Sequence, residues 1–429
     1  MKKVKKILLS LALCLCLGLG LAGCGGGYTP DASYDPILDV DPDITYTLKI
    51  GLLNTNQEKN IMKTLAAGFQ TLYPNVTFEY TTLTTYETGI AQAIQEGTKL
   101  DVLWVPDAYV TSMADNRLLI DLTGYIEAEA ASSATNKFDI HDYYPAMIDL
   151  GKYKHGTDPE NQGQYFLPRD YSKIVTYVNT ALLERFAPEF DFDYYRTNMD
   201  EWTWEVFVDL CATMKENMTE VGSNIVCIEG IWDWLIQFYG VMLSYGGTYL
   251  DANGEVVMDE GFQEAVESIK YLIDHDYADY NPNRTELGYF HGGNAVMAFQ
   301  SRPYLATASV LDDDLDILPF PAITENAAGE ELTPYVGTGT TGYGICSSSE
   351  NKDLAWQFLK YMMSADGQTV LSNTGSVVPS MISLREGEDG AEPGWKQFEQ
   401  EFNYNHDAFI FGEERDTVQS LSLIHISEP

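Results

Sequence analysis

Beyond position 44, strand-length apolar runs alternate with helix-length amphipathic ones, and that alternation confines the chain to a layered α/β architecture. Residues 46–52 alternate in the manner of a strand, 61–72 carry apolar residues at helical spacing up to a stop at Tyr73-Pro74, and 76–80 read as a second strand. A helix over 88–95 leads into Asp101-Val-Leu-Trp104-Val, the kind of apolar run a buried strand requires. Met113 to Ile126 reads as a helix and turn, and Lys173 to Val178 as a strand followed by a helix around Leu182. Thr203 is placed to cap a helix, with Trp202 and Trp204 as core residues at its start. Trp232 to Tyr245 is a long apolar helix, and Leu250 to Val256 a hairpin turning on Asn253-Gly254. Phe262 to His275, Lys352 to Met363 and Asp366 to Leu371 are predicted helices, and Asp316 to Phe320 a strand. The length, 429 residues, fits two or three domains or one large two-lobed body.

The N-terminal end carries a different pattern. Lys2, Lys3, Lys5 and Lys6 precede an apolar run from Ile7 to Leu21, too short to span a bilayer with ordinary flanks. The run closes on Leu21-Ala22-Gly23-Cys24, which resembles a bacterial lipoprotein signal. The expectation is a signal peptide over 1–23, lipidation of Cys24, and a flexible tether over 24–43 rich in glycine and proline. The protein would then work at the outer face of the cell membrane, held by acyl chains. Residues 421–429 resemble the in-frame translation of a transposase adapter used in sequencing libraries. They are treated as an artefact, so the natural chain is expected to continue past Ser420.

Charge narrows the partners. A net charge of −39, with a pI near 4.2, excludes a nucleic-acid partner, and loss of the four leader lysines makes the mature chain more acidic still. The same acidity leaves membrane attachment to the lipid. Outside the leader and Cys24 there remain Cys211, Cys227 and Cys346. An odd number makes no disulfide framework; Cys211 and Cys227 could pair, but buried free thiols are expected. No Cys-x-x-Cys occurs, the six histidines are scattered, and the Asp39-x-Asp41-x-Asp43 run lacks the glycine and closing glutamate of a calcium loop, so no metal or cofactor is expected.

The order of features along the chain resembles the maltose-binding type of extracellular solute-binding protein, the ligand-capturing lipoproteins of bacterial ABC importers. The resemblance runs from about 44 to 410. It is carried by Asp101-Val-Leu-Trp-Val-Pro-Asp107 with Leu118-Leu-Ile-Asp-Leu122, by Phe166-Leu-Pro168-Arg-Asp170 with Thr176-Tyr-Val-Asn179, and by Trp202-Thr-Trp204. Gly293-Asn-Ala-Val-Met297, Ala355-Trp356-Gln-Phe358-Leu-Lys-Tyr361 and Gly375-Ser-Val-Val-Pro379 complete it. It implies a two-lobed periplasmic-binding-protein-like α/β fold with the ligand cleft between the lobes. The first lobe is expected over 44–168 and 334–376, the second over 169–333 and 377–420, with crossings near 168, 334 and 377. Lobe closure on the ligand would be a hinge motion read by ABC permease subunits. The chain is expected to act as a monomer without catalytic activity.

A sugar site needs aromatic rings for the apolar faces of the sugar and carboxylates, amides or hydroxyls for its hydroxyl groups. Asp107 and Tyr109 follow a predicted strand, where open α/β sheets bind ligands; Trp104, inside the apolar run, is assigned to the core. The resemblance places Asp170 and Tyr171 at the first crossing facing the cleft, and Tyr304 where a stacking aromatic is often found. At least one of Trp232, Asp233 and Trp234, opening a helix of the second lobe, is expected to face the ligand. Gly337-Thr-Gly339-Thr-Thr-Gly342 matches a dinucleotide pattern literally, but a strand-like Tyr343-Gly-Ile-Cys346 follows where a helix is required. It is read as a flexible crossing in which Thr338 and backbone amides reach the ligand. Two rivals remain open. A secreted glycoside hydrolase requires two cleft carboxylates about 5–9.5 Å apart. A glycan-binding surface lipoprotein without a transporter requires no lobe closure.

Overall fold

Two five-stranded sheets, each assembled from distant parts of the chain, organise the computed structural model, which describes residues 40–134, 137–154, 162–229, 235–249, 256–279, 290–373, 377–385 and 406–408. In the first sheet the strand order is Val76–Leu83, Tyr46–Leu53, Val102–Pro106, Thr341–Ile345 and Leu167–Pro168. The first three run parallel; Thr341–Ile345 is antiparallel to both its neighbours. In the second sheet the order is Ala278–Asp279, Val226–Glu229, Ala295–Gln300, Val175–Asn179 and Leu315–Pro319, parallel among the first three and antiparallel beyond.

Local chemistry explains where the helices begin. Thr55 accepts the Glu58 N–H at the start of helix Asn56–Leu72, which turns Ile61, Met62, Leu65 and Phe69 into the core and stops before Pro74. Thr203 accepts the Val206 N–H at the start of Trp204–Glu220, as its position predicted. Asp259 does the same for Glu260–Asp274 by accepting from Phe262. Trp202 is fully buried, its indole N–H donating to Pro319 O at 3.0 Å, and Trp204 is buried on Phe207. Lys352–Met363 and Ala365–Ser372 occur where periodicity placed helices, the stretch read as a helix and turn from Met113 to Ile126 is two helices, Val110–Asp115 and Thr123–Ala131, and Pro145–Leu150 and Phe192–Thr197 were not predicted. The described part of the apolar helix predicted from Trp232 is Leu235–Ser244; residues 230–234 and the Asn253-Gly254 hairpin lie outside the described residues.

The strand expected over Lys173 to Val178 is two strands. Ser172–Lys173 pairs with Gly339 and Thr338, the Ile174 N–H donates to Gly337 O at 2.9 Å, and Val175–Asn179 then joins the second sheet. The chain changes partners within one residue because Ile174 spends its donor on the crossing strand. Ser172–Lys173, Tyr335–Gly339 and His406–Ala408 thus form a separate three-stranded sheet. There are two apolar cores: one around Leu48, Phe69, Trp104 and Trp356, which extends onto Tyr177, Ala298 and Ile317 of the second sheet, and one around Trp202, Phe207, Phe238 and Phe299. Among the described residues no helix is long and apolar enough to cross a membrane.

Candidate functional site

The two bodies approach one another at Gly339. A Cβ placed there would lie 3.2 Å from Asp107 Oδ2 and 3.5 Å from Ile236 Cδ1. Asp107 follows the buried strand Val102–Pro106 and opens the single turn Asp107–Tyr109; Ile236 lies in the first turn of helix Leu235–Ser244. The Asp107 carboxylate is half-buried. It accepts the Ala108 N–H on Oδ1 at 2.6 Å and the Thr340 N–H on Oδ2 at 3.1 Å, while its own N–H donates to Thr340 O at 3.2 Å. Two backbone N–H groups, one from its own turn and one from Thr340 between the crossing strands, therefore orient this carboxylate. Tyr109, half-buried, follows on the same turn, with its ring packed against the first core.

Asp170 has a different environment. Its Oδ1 accepts Thr341 N–H at 2.8 Å; its Oδ2 accepts Arg169 Nε–H at 3.0 Å and Thr341 Oγ1–H at 3.2 Å; the Thr340 hydroxyl donates to Asp170 O at 2.5 Å. Buried and held by three donors, Asp170 joins the crossings in place of the ligand contact expected of it. Arg169, wholly buried, extends the network: Nη1 and Nη2 grip Glu58 at 2.5 and 2.8 Å, and Nη1 also donates to Tyr343 Oη at 3.1 Å. Burial alone would lower the Arg169 pKa, but Glu58, Tyr343 and Asp170 raise it well above its ordinary value. Tyr171 stacks on Tyr144 with centroids 5.0 Å apart and has Lys173 Nζ 5.7 Å from its ring centroid, so this expected cleft ring is a core residue.

Burial pushes the Tyr343 phenol up to about 12, with Arg169 acting in the opposite direction, and burial also raises Tyr86 and Tyr177 well above 10.0. A phenol whose folded pKa lies above its unfolded value stabilises the fold fully below pH 10 and progressively less as pH rises through 12. The melting temperature should therefore fall steeply across that window, and Tyr343→Phe should make the fall shallower. A flat profile by circular dichroism would contradict the burial of these phenols.

The Gly-rich run is a set of close backbone approaches, not a loose linker. A Cβ on Gly337 would strike Ile236 O and sit 2.6 Å from Ile236 Cγ2; on Gly342 it would strike Leu167 O and sit 2.7 Å from Phe166 Cε2. Thr338 is buried and its hydroxyl donates to Val336 O at 3.1 Å, so the backbone around Gly339, in place of the Thr338 side chain, borders the approach. Tyr304 is nearly buried, its ring edge-on to Tyr177 at 5.3 Å and its hydroxyl 3.3 Å from His291 Nδ1. Trp232, Asp233 and Trp234 lie outside the described residues, between the end of strand Val226–Glu229 and the start of helix Leu235–Ser244. The structure therefore brings together Asp107, Gly339, Thr340 and Ile236. Of these only Asp107 had a residue-level signal; Thr340 and Ile236 enter through contacts 233 residues apart or through glycine packing.

The model of the bacterial extracellular solute-binding protein family matches residues 54–369, most of the chain. The chain belongs to this family. Its fold is that of the maltose-binding type. The GacH receptor of Streptomyces glaucescens GLA.O, solved unliganded and with acarbose, superposes with a TM-score of 0.70 at 19% identity over 90% of this chain and 94% of that one. Maltose-bound T. maritima MalE3 gives 0.67 at 16% identity over 89% and 94%. An ABC substrate-binding protein from Listeria monocytogenes in complex with cycloalternan gives 0.69 at 15% identity over the same shares. At such identities the likeness establishes the fold. Membership makes this solute-binding protein a binder rather than an enzyme, which removes the hydrolase alternative.

Proposed function

We propose that this solute-binding protein captures a sugar or oligosaccharide between its lobes and delivers it to ABC permease subunits at the outer face of the cell membrane, anchored through lipidated Cys24. The reading rests on one observation above others: at Gly339 a carboxylate of the first body and a helix start of the second converge on a backbone bare of side chain. Asp107 would accept sugar hydroxyls, Tyr109 and Tyr304 would flank the ring, and Trp232, Asp233 and Trp234 would close from the second lobe. The moving bodies would be 44–168 with 334–376 and 169–333 with 377–420. Sugar ligands in the folds of similar shape support the ligand class.

A thermal-melt screen against mono- and oligosaccharides, with peptides and polyamines as controls, tests it. A ligand at a hundredfold excess over its Kd stabilises the native state by about 2.7 kcal/mol. A rise in melting temperature with one sugar class, lost in Asp107→Ala, is the expected result. A rise with peptides or polyamines alone would overturn the sugar assignment. Retention of Cys24→Ser on membranes would overturn the anchor.

A further inference from the structure

Cys211 and Cys227 lie side by side in the second core. Cys211 is in helix Trp204–Glu220 and Cys227 in strand Val226–Glu229, two elements packed on each other. Both residues are fully buried and both are thiols in the structure. The Cys227 thiol points at Cys211, donating to Cys211 O at 3.3 Å. The third described thiol, Cys346, belongs to the other core and is 3.2 Å from Ser348 Oγ. A protein of an extracellular family folds where disulfides form and persist.

We infer that Cys211 and Cys227 are joined by a disulfide in the protein at work, an internal clamp between the helix and the central part of the second sheet. The bond forms during folding, before the sulfurs are covered. One thiol loses its proton and attacks a small-molecule disulfide such as oxidised glutathione, releasing one thiolate and leaving a mixed disulfide. The second thiol, deprotonated, displaces the remaining glutathione. Two protons leave the protein, two electrons pass to the oxidant, and the oxidant ends as two thiols. Timing follows from burial: desolvation and then the hydrogen bond to Cys227 push the Cys211 thiol well above its ordinary range, so in the folded thiol form there is little thiolate to react. The same burial protects the bond once made. The bond would close a loop of about 15 residues, a length for which the unfolded chain loses substantial entropy.

Peptide mapping tests this on the full chain, refolded with oxidised glutathione, alkylated without reduction and digested with trypsin. Lys215 lies between the two cysteines, so the disulfide holds peptide 197–215 to peptide 216–270. The linked pair, lighter by two hydrogens than the separate peptides, is the expected product. Alkylated Cys211 and Cys227 on separate peptides would overturn the inference. Cys211→Ser and Cys227→Ser supply a second readout. Each should melt about 5 °C below the oxidised wild type. Reductant present during unfolding should bring the wild type down to the variants and leave the variants unmoved. A wild type indifferent to reductant would likewise overturn it, and the mapping stands even where neither variant folds.

Discussion

Arg169→Met is expected to lower the free energy of unfolding by about 3–5 kcal/mol, the range for removing one partner of a buried ion pair. Methionine fills much of the volume but leaves the Glu58 carboxylate, 6% exposed, facing no cation, and takes one of three donors from the Asp170 carboxylate. The loss has more than a local origin. The guanidinium joins Glu58 in the first turn of helix Asn56–Leu72, Tyr343 in strand Thr341–Ile345, and Asp170, which in turn holds the Thr341 N–H. Three chain segments therefore lose a common tie. Urea unfolding should show a lower midpoint at unchanged slope. Adding Glu58→Leu to Arg169→Met should recover part of the stability, since a paired replacement leaves no isolated charge at that site. A loss below about 1 kcal/mol, typical of exposed pairs, would contradict the buried network.

Gly337→Ala should be the next most damaging change, costing about 1–3 kcal/mol by overpacking. The new methyl would meet the backbone of Ile236, which cannot rotate aside as a side chain could. The approach is reciprocal: a Cβ on Gly240 would sit 2.6 Å from Gly337 N. Crossing strand and helix Leu235–Ser244 would have to separate, and Ile236 would move away from Gly339. Ligand affinity should thus fall together with stability, measured by titration calorimetry and urea unfolding on one preparation. Gly240→Ala should resemble it, and the double variant should cost less than the two changes added, because one separation of helix and strand makes room for both methyl groups. An unchanged midpoint in either single variant would mean that the helix and the crossing strand are not in contact.

Much of the element order was legible because its causes are local. Thr203 announces a helix start through a bond three residues long, and Lys352–Met363 follows from its apolar spacing; Thr55 and Asp259 act in the same way at starts the apolar spacing placed a few residues late. The break at Ile174 was not legible: its apolar neighbours read as one strand, and only the carbonyl of Gly337 divides them. The glycine run was visible as a pattern, yet its cause lies in Ile236, Asp107 and Leu167, all remote in sequence.

By itself the sequence determined the alternating α/β order, the Thr203 cap, and Asp107 as a carboxylate at the end of a buried strand, all properties set by neighbours within a few residues. Only the tertiary structure decided what holds each carboxylate. Asp107 and Asp170 look equivalent in the chain, but Asp170 meets the Arg169 guanidinium and the N–H and hydroxyl of Thr341. Asp107 meets two backbone N–H groups beside a bare glycine. Hydrogen-bond capacity is finite, and its allocation depends on partners that folding brings from more than a hundred residues away.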